Sequence, residues 1–373
     1  MTDSAVTVLD LGSANGVRVD GRRIRTAVVS TESLIQCGGS SISLAFGGAT
    51  DPGSQSAAGS DVTAPVVVGN PAAHSNRAAL LLAALLPLAI GVGLAVVTGM
   101  WIFLAFTAVS AVSILVPVAT GRRQRRELKA AVTAAAHVDT ARRRRAAPSA
   151  GELSLGVASA EPGPLKVAAP TGPVWLRVGQ SQQRANIRLD PADPGFRPPL
   201  LGRMPVTLDP ATAVTTLRGP APAVAGLVSS FVLQLAGYPA ARRTRILIHG
   251  PTPPLLAARF LPATILSAQE ASTLEALAAG PGREYERGVL IIMAALRPSG
   301  LRSAAVSHGW QVIDCAGGPA PAAGAALLLS ERAAWLSSAG PPLEFTPDLL
   351  PSGVFDRNCR RLGARATASG SGT

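Results

Sequence analysis

The chain has 373 residues, 47% of them hydrophobic and only 15% charged, with a net charge of +12 and a mean hydropathy of +0.31. This length allows two or three domains and excludes a peptide-sized role. A charged fraction well below the usual value of about a quarter indicates a membrane protein.

Residues 6–46 alternate short β-branched runs with turn residues, which is typical of a β-meander. Asp20-Gly21 predicts a hairpin, because both residues tolerate a positive φ. The string DLGSANGVRVDGRRI at 10–24 is similar to the DLGSxNGTxVNGxxI stretch of forkhead-associated (FHA) domains. Residues 34–42 resemble the LxxGDxIxLG strand pair of the same family. We therefore expect a partial FHA-like β-sandwich over residues 1–48.

The resemblance to FHA domains implies a phosphopeptide-side loop at Ser13, Asn15 and Gly16. In that family an Arg and a Ser upstream of this stretch hold the phosphothreonine, and the Asn before Gly contacts the peptide backbone. The matching Gly-Arg and Ser-x-x-His elements are absent between Met1 and Asp10. Phosphothreonine recognition is therefore expected only if the protein begins upstream of Met1.

Residues 49–77 are rich in Gly, Ser, Ala and Pro and predict a flexible linker. The following 44 residues, 78–121, contain no charged side chain. As one helix this run would be about 66 Å long, roughly twice the hydrocarbon thickness of a bilayer. It therefore predicts a two-helix transmembrane hairpin, with helices near 78–98 and 101–120 and a turn at Thr98-Gly99.

Residues 122–146 predict a basic juxtamembrane stalk that continues the second helix. Nine basic and two acidic residues lie between Arg122 and Arg145, a net charge of +7 (nine minus two). The positive-inside rule makes this segment cytoplasmic, and two spans place both termini in the cytoplasm of a two-pass plasma-membrane protein. Eight arginines are assigned to topology and to binding anionic lipids: Arg122, Arg123, Arg125, Arg126, Arg142, Arg143, Arg144 and Arg145.

After a second linker at 147–172, residues 173–362 alternate apolar strands with helical stretches. Short apolar runs at 245–249 and 289–293 are typical of buried parallel strands, and 221–236 predicts a helix. This alternation predicts a cytoplasmic three-layer α/β domain with right-handed crossovers. The last residues, 363–373, are expected to form a disordered tail.

Arg218, Gly219 and Pro220 lie between a predicted strand and helix, where a nucleotide-binding α/β domain carries its phosphate loop. Such a loop needs GxxxxGK[ST], because a lysine neutralises the phosphates and a hydroxyl holds magnesium. Neither Lys129 nor Lys166 follows a glycine, so Walker-type ATP hydrolysis is excluded. The three cysteines and four histidines have no metal-ligand spacing. We expect no catalytic residue, cofactor or metal, although a residual enzyme with an unrecognised site stays open.

Several short strings in this region resemble, in the same order, strings of the FtsK/SpoIIIE-type ATPases of type VII (WXG100/ESX-like) secretion systems. They are WLRVG at 175–179, PVTLD at 205–209, the helix ending LQLA at 233–236, RFLP at 259–262 and FTPD at 345–348. The order of FHA module, two membrane helices, basic stalk and α/β domain is also similar to the N-terminal part of those proteins.

This second resemblance implies a non-enzymatic two-pass membrane scaffold or accessory component of a type VII-like secretion apparatus, with a degenerate ATPase-like domain. The implied partners are a secretion ATPase or WXG100-like proteins in an oligomeric membrane complex, and nucleic acid is not expected. The alternative is a membrane-anchored FHA signalling adaptor that recognises phosphothreonine proteins.

Overall fold

The fold is taken from a computed structural model, in which two compact units are distinguished. One unit comprises residues 1–61, 142–183 and 202–373, and the other comprises 62–141 and 184–201. The described residues are 6–19, 22–29, 33–38, 40–44, 62–70, 89–90, 92–93, 96–99, 102–159, 174–237, 243–317, 324–330, 333–338 and 340–370.

The N-terminal segment consists of short antiparallel strands. They are β1(Val6–Leu9), β2(Val17–Val19), β3(Arg22–Ile24), β4(Thr26–Val29), β5(Leu34–Cys37) and β6(Ser40–Ser43). Strand β1 pairs with β4, and the other strands form a sheet in the order β3-β2-β5-β6. Val17 and Val19 alternate with exposed Arg18, so one face of β2 supplies core side chains. Strands β2 and β3 pair antiparallel, with Val17 opposite Ile24 and Val19 opposite Arg22, and the predicted turn residues 20–21 lie outside the described residues.

In the second unit, strand β7(Val66–Gly69) pairs in parallel with β9(Ile187–Asp190), and α1(Ile102–Ala146) contributes its residues up to 141. Ala135 and Ala136 of α1 are buried in one core with Val68 of β7 and the apolar side chains of β9. Alanine has a small side chain, so the helix backbone can approach the strands closely. Strand β7 lies within the segment predicted as a linker, 49–77.

No helix within the described residues is long and apolar enough to cross a membrane. The predicted two-helix transmembrane hairpin is therefore wrong, and so is the two-pass plasma-membrane location deduced from it. Most of the first expected span, 78–98, lies outside the described residues. The second expected span belongs to α1, which continues without a break through the basic segment to Ala146. The absence of charged residues from 78–121 was therefore not enough to predict a membrane-spanning helix.

The larger unit contains a sheet of ten strands. In chain order they are β8(Arg177–Arg184), β10(Leu200–Thr207), β11(Val214–Arg218), β12(Thr244–His249), β13(Thr264–Ser267), β14(Arg287–Ile292), β15(Trp310–Asp314), β16(Ala325–Leu329), β17(Ala334–Ser337) and β18(Leu343–Pro347). Their spatial order is β10-β8-β18-β17-β16-β11-β15-β14-β12-β13. The six strands from β16 to β13 are parallel, whereas β17, β18 and β8 run antiparallel to their neighbours.

Helices cover both faces of this sheet. They are α2(Ala150–Ser159), α3(Ala221–Gly237), a 3-10 helix (Pro253–Phe260), α4(Glu270–Ala278), α5(Pro298–Ser307) and α6(Ser352–Gly370). Ile246 and Ile248 of β12 belong to the same buried core as residues of α2, α3, α6 and the 3-10 helix, whereas Leu247 belongs to the core formed with α4 and α5. Successive side chains of a strand point to opposite faces, so a strand buried on both faces is apolar at every position.

The connections explain why the sheet is mixed. Few residues separate β16 from β17 and β17 from β18, and a parallel connection needs a crossover of about a dozen residues or more. These strands must therefore run antiparallel to the strands that precede them.

Two helices occupy segments for which no structure was predicted. Helix α2 lies within the predicted linker 147–172, and α6 continues to Gly370 through most of the segment predicted as a tail.

Candidate functional site

The predicted phosphate-loop position lies at the carboxyl edge of the parallel strands, where ligands of open α/β sheets bind. Strand β11 pairs with β15 on one side and with β16 on the other. It ends at Arg218, and α3 begins at Ala221, so only Gly219 and Pro220 lie between strand and helix. A P-loop motif has eight positions, whose backbone amides surround the phosphates. A turn of two residues is too short to form such a cradle.

Gly219 is packed directly against the neighbouring strand. Its φ is +148°, and a Cβ at this position would lie 2.7 Å from both the Cβ and the carbonyl oxygen of Leu329 at the end of β16. A side chain would therefore force the turn away from β16. The glycine serves close packing here, and the neighbouring strand occupies the space beside it.

The first turn of α3 is poor in free amide groups. Pro220 and Pro222 have no N–H, and the N–H groups of Ala223 and Val224 both donate to the Pro220 carbonyl, each at 3.0 Å. A helix binds an anion through the N–H groups of its first turn that have no partner within the helix. The proline positions and this capping arrangement remove most of those donors from α3.

Asp314 is the carboxylate next to this turn, since it pairs with Thr216 of β11 across the sheet. Its side chain is 1% exposed, and its Oδ2 lies 3.2 Å from a terminal guanidinium nitrogen of Arg302. The N–H of Ala316 donates to Asp314 Oδ1 at 3.0 Å. A magnesium ion needs accessible oxygen ligands. Asp314 instead neutralises the mostly buried Arg302 and holds the turn that follows β15.

A chain of polar side chains at the end of β12 was missed in the sequence. His249 is 4% exposed, and its Nδ1 lies 2.8 Å from Thr273 Oγ1, which in turn donates to Ser267 Oγ at 3.0 Å. Burial lowers the pKa of His249, and the nearby Glu270 carboxylate partly opposes this effect. The chain connects β12, β13 and α4. A histidine directly after the apolar run Ile246-Leu247-Ile248 was the available signal.

The structure brings the three predicted FHA-loop residues into one turn. The Ser13 N–H donates to Asp10 Oδ1 at 2.8 Å, and this bond is the main reason why the pKa of Asp10 is lowered. The Gly16 N–H donates to the Ser13 carbonyl at 3.2 Å, and the Arg23 guanidinium lies against Gly16. Ser13 and Asn15 are exposed. The turn can therefore present a hydroxyl and an amide to a ligand.

The eight arginines assigned to lipid binding lie along α1. Arg123 pairs with Glu127 one turn later at 2.8 Å, and Arg143 donates to Gln183 Oε1 at 2.8 Å. Arg142, Arg143 and Arg144 are only half-exposed, and the segment 142–145 makes further interactions. These arginines are thus partly committed within the protein. Their assignment to membrane topology is wrong together with the transmembrane hairpin, whereas their assignment to anionic lipids stays a prediction.

No protein-family profile matches the sequence, and no curated protein is similar to it. Among solved structures, the chain is similar to EssC (ATPases 2 and 3) from Geobacillus thermodenitrificans. The sequence identity is 8% and the TM-score is 0.36, over 57% of this chain and 53% of that chain. The chain thus spans about half the length of the structure that it matches. This is a distant structural likeness to that ATPase.

Proposed function

We propose that this chain is a non-enzymatic scaffold or accessory component of a type VII-like secretion apparatus, whose ATPase-like domain recruits protein partners without binding nucleotide. The observation that carries the proposal is the two-residue turn Gly219-Pro220 between β11 and α3. The domain has the strand and the helix of a nucleotide site, but it lacks the loop that would hold phosphate. Its surfaces therefore remain suited to binding proteins and not to binding nucleotide. The secretion setting comes from the order of the short strings in the sequence. No membrane anchor is part of this proposal.

Nucleotide binding is tested by calorimetry with the full chain and MgATP. We expect no saturable heat, because the turn lacks a lysine, a phosphate cradle and an accessible carboxylate. Saturable binding that is abolished by Arg218→Ala would contradict the proposal. Binding unchanged by Arg218→Ala and by Asp314→Asn would place nucleotide elsewhere and would also refute a nucleotide-independent scaffold.

The recruitment of partners is tested separately, by purifying the tagged full chain from its own cells under mild conditions. We expect a secretion ATPase or a small WXG100-like protein to co-purify in stoichiometric amounts. A chain that purifies alone from cells with an active secretion apparatus would count against the scaffold role, whatever the calorimetry shows.

A further inference from the structure

Helix α6 has one strongly basic face. Four arginines occur within nine positions, at Arg357, Arg360, Arg361 and Arg365. The opposite side of the helix carries Phe355 and Cys359, which are both 0% exposed in the core of the sheet unit. Residues spaced by three and four positions share a helix face. Arg357, Arg360 and Arg361 are exposed on the face turned away from the core.

The neighbouring 3-10 helix adds Arg259 to these arginines and fixes the position of two guanidinium groups. The guanidinium carbons of Arg259 and Arg360 lie 5.0 Å and 4.4 Å from the centroid of the Phe260 ring. Stacking on an aromatic ring holds a guanidinium plane in one orientation. A Cβ on Gly363 would collide with the Phe260 carbonyl, so the glycine lets α6 approach the 3-10 helix. Two elements thus present their arginines together.

Asp356 is a carboxylate within this face, and its surroundings show that the electrostatic potential of the face is positive. Asp356 accepts a hydrogen bond from Arg360 Nε at 2.9 Å. This bond is the largest cause of the lowered pKa of Asp356, and the charges of Arg259 and Arg357 lower it further. One acid therefore faces several arginines, and the face keeps a positive excess that a partner can neutralise.

We propose that the arginine face, defined as Arg259, Arg357, Arg360 and Arg361, is a docking site for an acidic segment of a partner protein. This inference rests on the proposed function, because it names the chemistry of the recruited partner. A guanidinium group held in a fixed orientation presents two N–H donors that match the two oxygens of a carboxylate. Electrostatic complementarity of this kind speeds association and selects the partner.

The same face is poorly suited to nucleic acid. Proteins that bind nucleic acid strongly neutralise many phosphates, of the order of 6–10, whereas this face is one short helix surface. Single-stranded ligands also need aromatic rings on which bases stack. The Phe260 ring is already engaged by Arg259 and Arg360. The observations therefore favour an acidic protein segment.

The test measures fluorescence anisotropy of a labelled glutamate-rich peptide with the full chain. The double variant Arg357→Glu/Arg361→Glu reverses two exposed charges away from Phe260. We expect it to weaken binding by about tenfold or more at low salt, since like charges then oppose the peptide. The matched control, Arg283→Glu/Arg297→Glu, makes the same charge change at two exposed arginines elsewhere in the unit and should leave affinity within about twofold.

A single-stranded oligonucleotide with the same net charge as the peptide is titrated in parallel. Tighter binding of the oligonucleotide, equal losses in both double variants, or no peptide binding would each overturn the proposal. If the glutamate variant melts early, Arg357→Gln/Arg361→Gln repeats the measurement without introducing repulsion. The assay uses neither nucleotide nor cell extract, so its failure is distinct from failure of the scaffold role.

Discussion

At the scale of single residues, the ion pair between Arg177 and Asp348 carries the clearest prediction. Arg177 Nε lies 2.6 Å from Asp348 Oδ2, and the two side chains are 8% and 15% exposed. We expect Arg177→Ala to lower the free energy of unfolding by about 3 kcal/mol, because Asp348 would remain buried without its counter-charge. Urea denaturation followed by circular dichroism measures this loss.

The pair Arg243 and Glu286 provides the matched control for Arg177. Its atoms are equally close, at 2.7 Å, but its side chains are 53% and 30% exposed. Arg243→Ala should therefore cost less than about 1 kcal/mol. Equal losses for the two variants would show that burial does not determine the strength of these pairs.

At the scale of elements, the His249 hydrogen-bond chain connects β12, β13 and α4 and makes their packing dependent on pH. The pKa of His249 is lowered by burial from 6.5, so the folded protein binds this proton less readily than the unfolded chain does. The resulting stabilisation is fully present above pH 6.5 and is lost as the pH falls through the lower, folded-state pKa.

Thermal melting between neutral and mildly acidic pH checks this dependence. His249→Asn removes the titrating ring and should flatten the fall in melting temperature with pH, even if its own stability is lower. The exposed His308 serves as the control, since His308→Asn should leave the slope unchanged. An unchanged slope in His249→Asn would assign the acid sensitivity to other groups.

The helices and strands also show which parts of the fold can be predicted from the local sequence. The helix predicted at 221–236 is confirmed as α3. It could be predicted locally because an uncharged apolar stretch follows a glycine and a proline. Strand β7 was missed, because its partner β9 is more than a hundred residues away and its Gly-rich surroundings resemble a linker. The ion pair of Arg302 and Asp314 was also missed, because no local pattern reveals which side chain of a neighbouring element faces an aspartate.

At the scale of the whole molecule, the turn between strand and helix at residues 219–220 could be predicted from the sequence, but its geometry required the tertiary structure. The absence of a Walker lysine was evident from Lys129 and Lys166 alone. That Gly219 is pressed against Leu329 depends on which strand lies beside β11. Likewise, the arginines of α6 form a common face with Arg259 only because Gly363 allows two distant segments to meet.

The thiols offer a measurement of the cooperativity of the larger unit. Cys359 is 0% exposed in the core beneath the arginine face, and burial raises its pKa to about 12, whereas Cys37 is exposed. The thiolate is the reactive form, so Cys359 is protected twice, by burial and by protonation. In native buffer at mildly alkaline pH we expect maleimide to modify Cys37 quickly and Cys359 only when the core opens.

Mass spectrometry after short maleimide pulses at increasing urea concentration tests this expectation. If α6 belongs to one cooperative core with the sheet, Cys359 labelling should rise at the same urea concentration at which circular dichroism reports loss of the sheet unit. Labelling of Cys359 well before that transition would mean that α6 detaches first. The arginine face would then exist only while α6 is docked, because Arg259 and Arg360 share the Phe260 ring across that contact.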